Sequence, residues 1–275
     1  MECKVRDLNI YYEEVGSGRP LVALHGLPLD HRHVYNDLEP LFLQREGWRR
    51  IYPDLPGMGK TIAADWITCQ DHMLEIVLEF IDQVTAGERF TIVGTSYGGH
   101  LAQGVVYRRG AFMDGLFINV PAFYTDRAKS QLPEHQVLHE DPEFLLALRS
   151  DEQDMREFIV AQSMELLNFF RNYISPAVAI ADNDFLDRLR LNRQFSFDIC
   201  LLQEPFKAPA LFLTGRYDNW CGFREAFRIL DNYPRATYVV LDKAGHALSN
   251  EQVDLFRVLV NDWLNRVEDY GKVGF

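Results

Sequence analysis

A series of short apolar runs constrains this chain more than any other feature: PLVALHG, RRIYPDLPG, FTIVGTS, GLFINV, PALFLTG and TYVVLDKAG. Each stops at Gly, Pro or Asp, and most are separated by stretches of helical length. Runs without polar alternation are what strands buried on both faces of a parallel sheet require. Strand and helix in alternation predict a doubly wound α/β core. The opening segment, Lys4 to Val15, alternates β-branched and aromatic residues and reads as a strand or hairpin closed by Gly16-Ser17-Gly18.

One interval breaks the rhythm. Between GLFINV and PALFLTG no buried strand is evident, and PEFLLALRS, MREFIVAQSMELLNFFRNY and DNDFLDRLRLNRQF carry apolar residues at helical spacing. This predicts a helical insertion over 121–207, lying over the carboxyl edge of a core formed by 1–120 and 208–275. The last stretch, Asn250 to Tyr270, reads as an amphipathic helix with Ser249 or Asn250 as its N-cap.

Within this frame the strongest local signal is Gly94-Thr95-Ser96-Tyr97-Gly98, set between a buried strand and a helical run. A G-x-S-x-G sequence there puts the serine on a sharp strand-to-helix turn, with small neighbours allowing close approach. A serine hydroxyl needs a base, and His246 lies after the last strand and before the last helix. Asp218, just past PALFLTG, is the expected acid partner of the imidazole; Asp126, after GLFINV, is the competitor. The chain order serine, acid, histidine matches the triad order of this kind of sheet. Oxyanion donors are expected at the backbone N–H of Tyr97 and of Leu27, in His25-Gly26-Leu27-Pro28.

HGLP, YPDLPGMGKT, GTSYGG, GRYD and AGH, in this order, resemble the signature of α/β-hydrolase-fold serine hydrolases. The resemblance implies a mostly parallel eight-stranded sheet flanked by helices, with the insertion as a helical cap. It also implies Ser96, Asp218 and His246 as triad, Leu27 and Tyr97 as oxyanion donors, and no metal or cofactor. It leaves the substrate open, because one fold hosts many chemistries. Ester hydrolysis through an acyl-enzyme is the leading expectation. C–C bond or amide cleavage by the same triad is the alternative, and a non-catalytic small-molecule receptor is a third.

Other signals are weaker. Gly57-Met58-Gly59-Lys60-Thr61 ends like a phosphate loop, but Asp54 stands where its first glycine belongs, so a turn is expected. His31 and His33 read as exposed loop residues near a pocket mouth, and Cys221 as a small buried thiol. Tyr124 and Trp220 are candidate substrate contacts. With 28 Lys and Arg against 40 Asp and Glu, the net charge of -12 disfavours nucleic acid and anionic membranes as partners. Scattered cysteines and an N-terminus without an apolar leader fit a cytoplasmic protein acting on a small molecule.

Overall fold

A computed structural model of the chain describes residues 1–123 and 132–273. The eight strands are β1 (Glu2–Val5), β2 (Leu8–Gly16), β3 (Arg19–Leu24), β4 (Trp48–Pro53), β5 (Phe90–Thr95), β6 (Met113–Asn119), β7 (Ala210–Gly215) and β8 (Ala236–Leu241). They form one sheet in the order β1-β2-β4-β3-β5-β6-β7-β8. Every pairing from β4 to β8 is parallel, while β1–β2 and β2–β4 are antiparallel. All six apolar runs are strands. The opening segment is a hairpin, but it turns at Arg6-Asp7, with Arg6 at φ 55°, and Gly16-Ser17-Gly18 instead leads into β3.

Helices cover both faces. α1 (His31–Phe42) lies on one side, while α2 (Gln70–Thr85) and α3 (Tyr97–Arg109) lie on the other. Residues at helical spacing on α2 and α3, among them Met73, Leu74, Val77, Leu101 and Val105, pack with Ile92 and Ile118 of the central strands. The opposite layer joins Val34, Leu38 and Leu41 of α1 to the C-terminal helix, through Phe256, Val260, Trp263 and Val267.

Among the described residues, four short α-helices lie between β6 and β7: α4 (Pro142–Ala147), α5 (Met164–Phe169), α6 (Ser175–Ile180) and α7 (Asn183–Arg190). A π-helical turn, Phe170–Ile174, joins α5 to α6. Phe144, Met155, Ile159, Leu166 and Leu167 make a small core of their own, whereas Phe185, Leu186 and Leu189 of α7 belong to the main core. The expected helix through MREFIVAQS does not form over its whole length. Ser163 accepts from the Leu166 N–H and starts α5 there, and the residues before it run across His139, with Leu138 and His139 donating to the Val160 carbonyl.

After β7 come α8 (Arg224–Arg228), α9 (Leu248–Glu251) and α10 (Val253–Val273). The expected single terminal helix is therefore two, broken at Gln252 (φ -130°, ψ 51°). Ser249 and Asn250 are inside α9 rather than capping, because Asn250 turns its amide to Asp37 and Glu251 is drawn to a loop.

Trp263 is fully buried against Phe117, its rings 5.6 Å apart, and its indole N–H donates to the Pro209 carbonyl at 3.1 Å. Truncation there opens a large cavity and removes one of the two donors to that carbonyl, the other being the Leu116 N–H. Trp263→Ala is expected to lower unfolding stability by about 3–5 kcal/mol in urea denaturation.

Candidate active site

The site is assembled at the carboxyl ends of β3, β5, β7 and β8. Ser96 follows β5 with φ 54° and ψ -113°, outside the ordinary regions for a residue with a side chain. Its backbone is fastened on both sides: its N–H donates to the Asn119 carbonyl at 2.9 Å, and its carbonyl accepts from His100 and Ala122. The flanking glycines make the turn possible. A Cβ on Gly94 would fall on the Gly98 carbonyl, and one on Gly98 would fall on the Leu24 carbonyl of β3. Helix α3 then begins at Tyr97, pointing its positive end at the serine.

Ser96 Oγ lies 3.0 Å from His246 Nε2, and His246 Nδ1 lies 2.9 Å from Asp218 Oδ2. Asp218 is fully buried, and its other oxygen accepts from the N–H groups of Trp220 and Cys221, both at 2.9 Å. The loops carrying acid and histidine are tied together, Tyr217 N–H donating to the Ala244 carbonyl. Burial works to lower the His246 pKa, but the neighbouring Asp218 carboxylate opposes it, and the net direction is well above the ordinary imidazole value. Burial pushes the Cys221 thiol up, so it stays protonated beside the imidazole.

The β3 loop closes the other side. Gly26 packs so tightly that a Cβ there would lie 3.3 Å from Ser96 Cβ, and Leu27 follows it. His25 fixes this loop: it is fully buried, accepts at Nε2 from the Leu55 N–H at 3.0 Å, and therefore donates from Nδ1 to the Gly26 carbonyl at 2.8 Å. Tyr97 anchors the facing element through a 2.8 Å bond from its hydroxyl to Gln70. Leu27 and Tyr97 thus stand on the two braced backbones beside Ser96.

Two cavities meet at the serine. One, about 140 Å³, is walled by Phe158, Phe169, Phe170, Ile174 and Val178 from the β6–β7 segment, with His33 and Asn119 beneath. Burial pushes the His33 imidazole down to about 3, which keeps it neutral there. The other, about 230 Å³, is lined by Phe123, Leu132, Arg193, Cys221 and Glu225. Trp220 borders both and packs on His246 and on Phe158, with ring centres 5.1 and 4.8 Å apart. Tyr124 and Asp126 lie outside the described residues.

The histidine pair departs from its expected setting. His31 and His33 begin α1, and His31 is buried, with its ring and its backbone N–H both bonded to Asp54 at 2.8 Å. Asp54 also accepts from the Lys60 N–H, so the Gly57–Thr61 segment is a turn wrapped on a carboxylate. Asp30, Asp54 and His31 are close enough to form a ligand cluster, but Asp30 is engaged by Arg32 and Asp54 by these donors. The cluster reads as a structural bracket. Sequence reasoning missed His33, Asn119 and Phe158 as cavity walls; only the triad's loops had motif signals.

The model of the alpha/beta hydrolase family matches residues 21–257, and the chain belongs to that family. It is a hydrolytic enzyme. A pimeloyl-[acyl-carrier protein] methyl ester esterase of Legionella pneumophila is 25% identical, the match covering 94% of this chain and all of that protein. A 2-hydroxy-6-oxononadienedioate/2-hydroxy-6-oxononatrienedioate hydrolase of Paraburkholderia phymatum is 24% identical over 94% of this chain and 92% of its own length. Among solved structures, an alpha/beta superfamily hydrolase from Oenococcus oeni superposes with a TM-score of 0.88 at 27% identity, covering 98% of this chain and 99% of that one. No helix among the described residues is long and apolar enough to cross a membrane.

The Gly98 contact gives a direct check on the turn. Gly98→Ala must push α3 from the Leu24 carbonyl, and its thermal midpoint is expected to fall by several degrees. Gly110→Ala, where the added carbon meets only side chains at 3.5 Å or more, should stay near wild type.

Proposed function

We propose that the protein is a serine esterase that cleaves small esters through an acyl-enzyme, with Ser96 as nucleophile, His246 as base and Asp218 as the acid orienting it. The continuous Ser96–His246–Asp218 hydrogen-bond chain at a strained strand-to-helix turn carries this reading. Ser96 Oγ attacks the ester carbonyl as its proton passes to His246 Nε2. The tetrahedral oxyanion is received by the backbone N–H groups of Leu27 and Tyr97. Collapse expels the alcohol, which takes the proton from His246. Water then attacks the acyl-enzyme, losing a proton to the same nitrogen, and the second collapse frees the acid and restores the serine. Asp218, held by two backbone donors, keeps the proton on Nδ1 and stabilises the imidazolium.

The 121–207 segment acts as the cap on a core of 1–120 and 208–275. Its apolar wall over Ser96 favours a short acyl group, with Trp220 as a substrate contact. A cytoplasmic enzyme with a small-molecule substrate, and with neither nucleic acid nor membrane as partner, fits the net charge of -12. A second reading, C–C bond hydrolysis, is favoured by the similarity to the oxononadienedioate hydrolase and by Arg193 on the wall of the larger cavity, suited to an anionic substrate. Relative kcat/KM on matched esters and vinylogous diketones separates the two.

Wild-type protein is expected to turn over p-nitrophenyl acetate and butyrate and to be labelled by a fluorophosphonate, and Ser96→Ala to do neither. Undiminished labelling of Ser96→Ala would remove the serine from this role. The rate should fall with acidification, because only neutral His246 accepts the serine proton. As Asp218 raises the imidazole's pKa, the midpoint should lie above the ordinary histidine value. Asp218→Asn should move that midpoint down and lower kcat by about 10⁴-fold. A pH-independent rate between mild acid and neutrality would exclude His246 as base.

A further inference from the structure

Glu251 sits at the end of α9, where a helical acid ordinarily faces solvent. Here its carboxylate binds two segments far apart in sequence. Oε1 accepts the N–H groups of Val160 at 2.5 Å and Ala161 at 3.2 Å, both in the stretch before α5. Oε2 accepts the N–H of Gly245, the residue before His246, at 2.6 Å. A separate contact joins the same two segments: a Cβ on Gly245 would lie 2.9 Å from the Phe158 carbonyl and from Val160 Cγ2. Ring packing makes a third link, Phe158 lying on Trp220 and Trp220 on His246.

We infer that Glu251 is a positioning residue that locks the 158–161 segment to the loop carrying His246, so that seating of the cap and alignment of the imidazole are one event. The inference rests on the assignment of His246 as base. Three charge-assisted donors converging on one carboxylate fix both backbones more firmly than neutral bonds would. Losing the carboxylate frees Gly245, and with it the direction in which Nε2 meets Ser96. Burial pushes the Glu251 carboxyl up to about 7 against the pull of these donors, with the Asp218 charge adding to the rise.

Glu251→Gln keeps the shape but replaces an acceptor by an N–H that faces donors. With p-nitrophenyl acetate, kcat is expected to fall about 10- to 100-fold while KM changes less than about twofold, the signature of misaligned chemistry rather than lost binding. Hydrogen exchange at Val160, Ala161 and Gly245 should accelerate together, while β5 and β7 remain as protected as in wild type. Unchanged kcat, a rise in KM alone, or faster exchange at only one of the two segments would overturn the inference. Faster exchange throughout β5 and β7 would reduce Glu251 to a structural residue and overturn it too. Glu251→Asp, measured alongside, covers the case in which the glutamine variant does not fold. Should wild type turn over no ester, the esterase reading fails on its own, and the exchange pattern still decides whether one carboxylate couples the segments.

Discussion

The approach of β3, β5 and α3 around Ser96 is the constraint on which the site depends. The serine occupies a backbone conformation that would be unfavourable alone, and three fixed surroundings hold it there: the Asn119 carbonyl, the first turn of α3, and the Leu24 carbonyl against Gly98. Because these contacts are backbone to backbone, they cannot relax by changing a rotamer. The turn therefore presents Oγ in one direction, and the helix that starts beneath it supplies N–H groups without rearrangement. Parallel pairing of the flanking strands brings the ends of β3, β7 and β8 to the same edge, so the remaining groups arrive from loops a few residues long.

The electrostatics of the site follow a division of labour between two kinds of burial. Asp218 is wholly enclosed but receives two amide donors and the imidazole, so its charge is compensated. His33 and Cys221 are half-buried without backbone donors of this kind and remain neutral. On the side of the smaller cavity Ser96 thus faces one charge-supported imidazole within a lining that holds no Lys, Arg, Asp or Glu, where electrostatic interactions are least screened. Glu251 extends the pattern outward, its carboxylate accepting from both the loop that carries His246 and the segment above it.

Much of the fold was legible because buried parallel strands leave continuous apolar runs, and all six such runs are strands. Ser96, Asp218 and His246 stood out because each directly follows one of those strands, where local pattern and position reinforce each other. What was not legible depends on contacts between distant residues. MREFIVAQS has helical periodicity, yet it leaves a 3-10 turn at Phe158 instead of continuing as an α-helix, the N–H groups of Val160 and Ala161 being taken by a carboxylate about ninety residues away. The last helix also breaks at Gln252, and nothing in an Asn-Glu-Gln triplet announces it. His31 looked like a loop residue because its partner, Asp54, belongs to another strand end.

The hydrogen bond between Ser96 and His246 spans 150 residues of chain. Closing a loop of that length carries an entropic penalty that only the fully paired sheet offsets. Neither half of the chain holds both groups, and β8, which leads to His246, is the outermost strand at its edge. The contact consequently needs β8 and the loop after it in place. Until β8 and the loop after it are made, a growing chain has no imidazole to set beside Ser96.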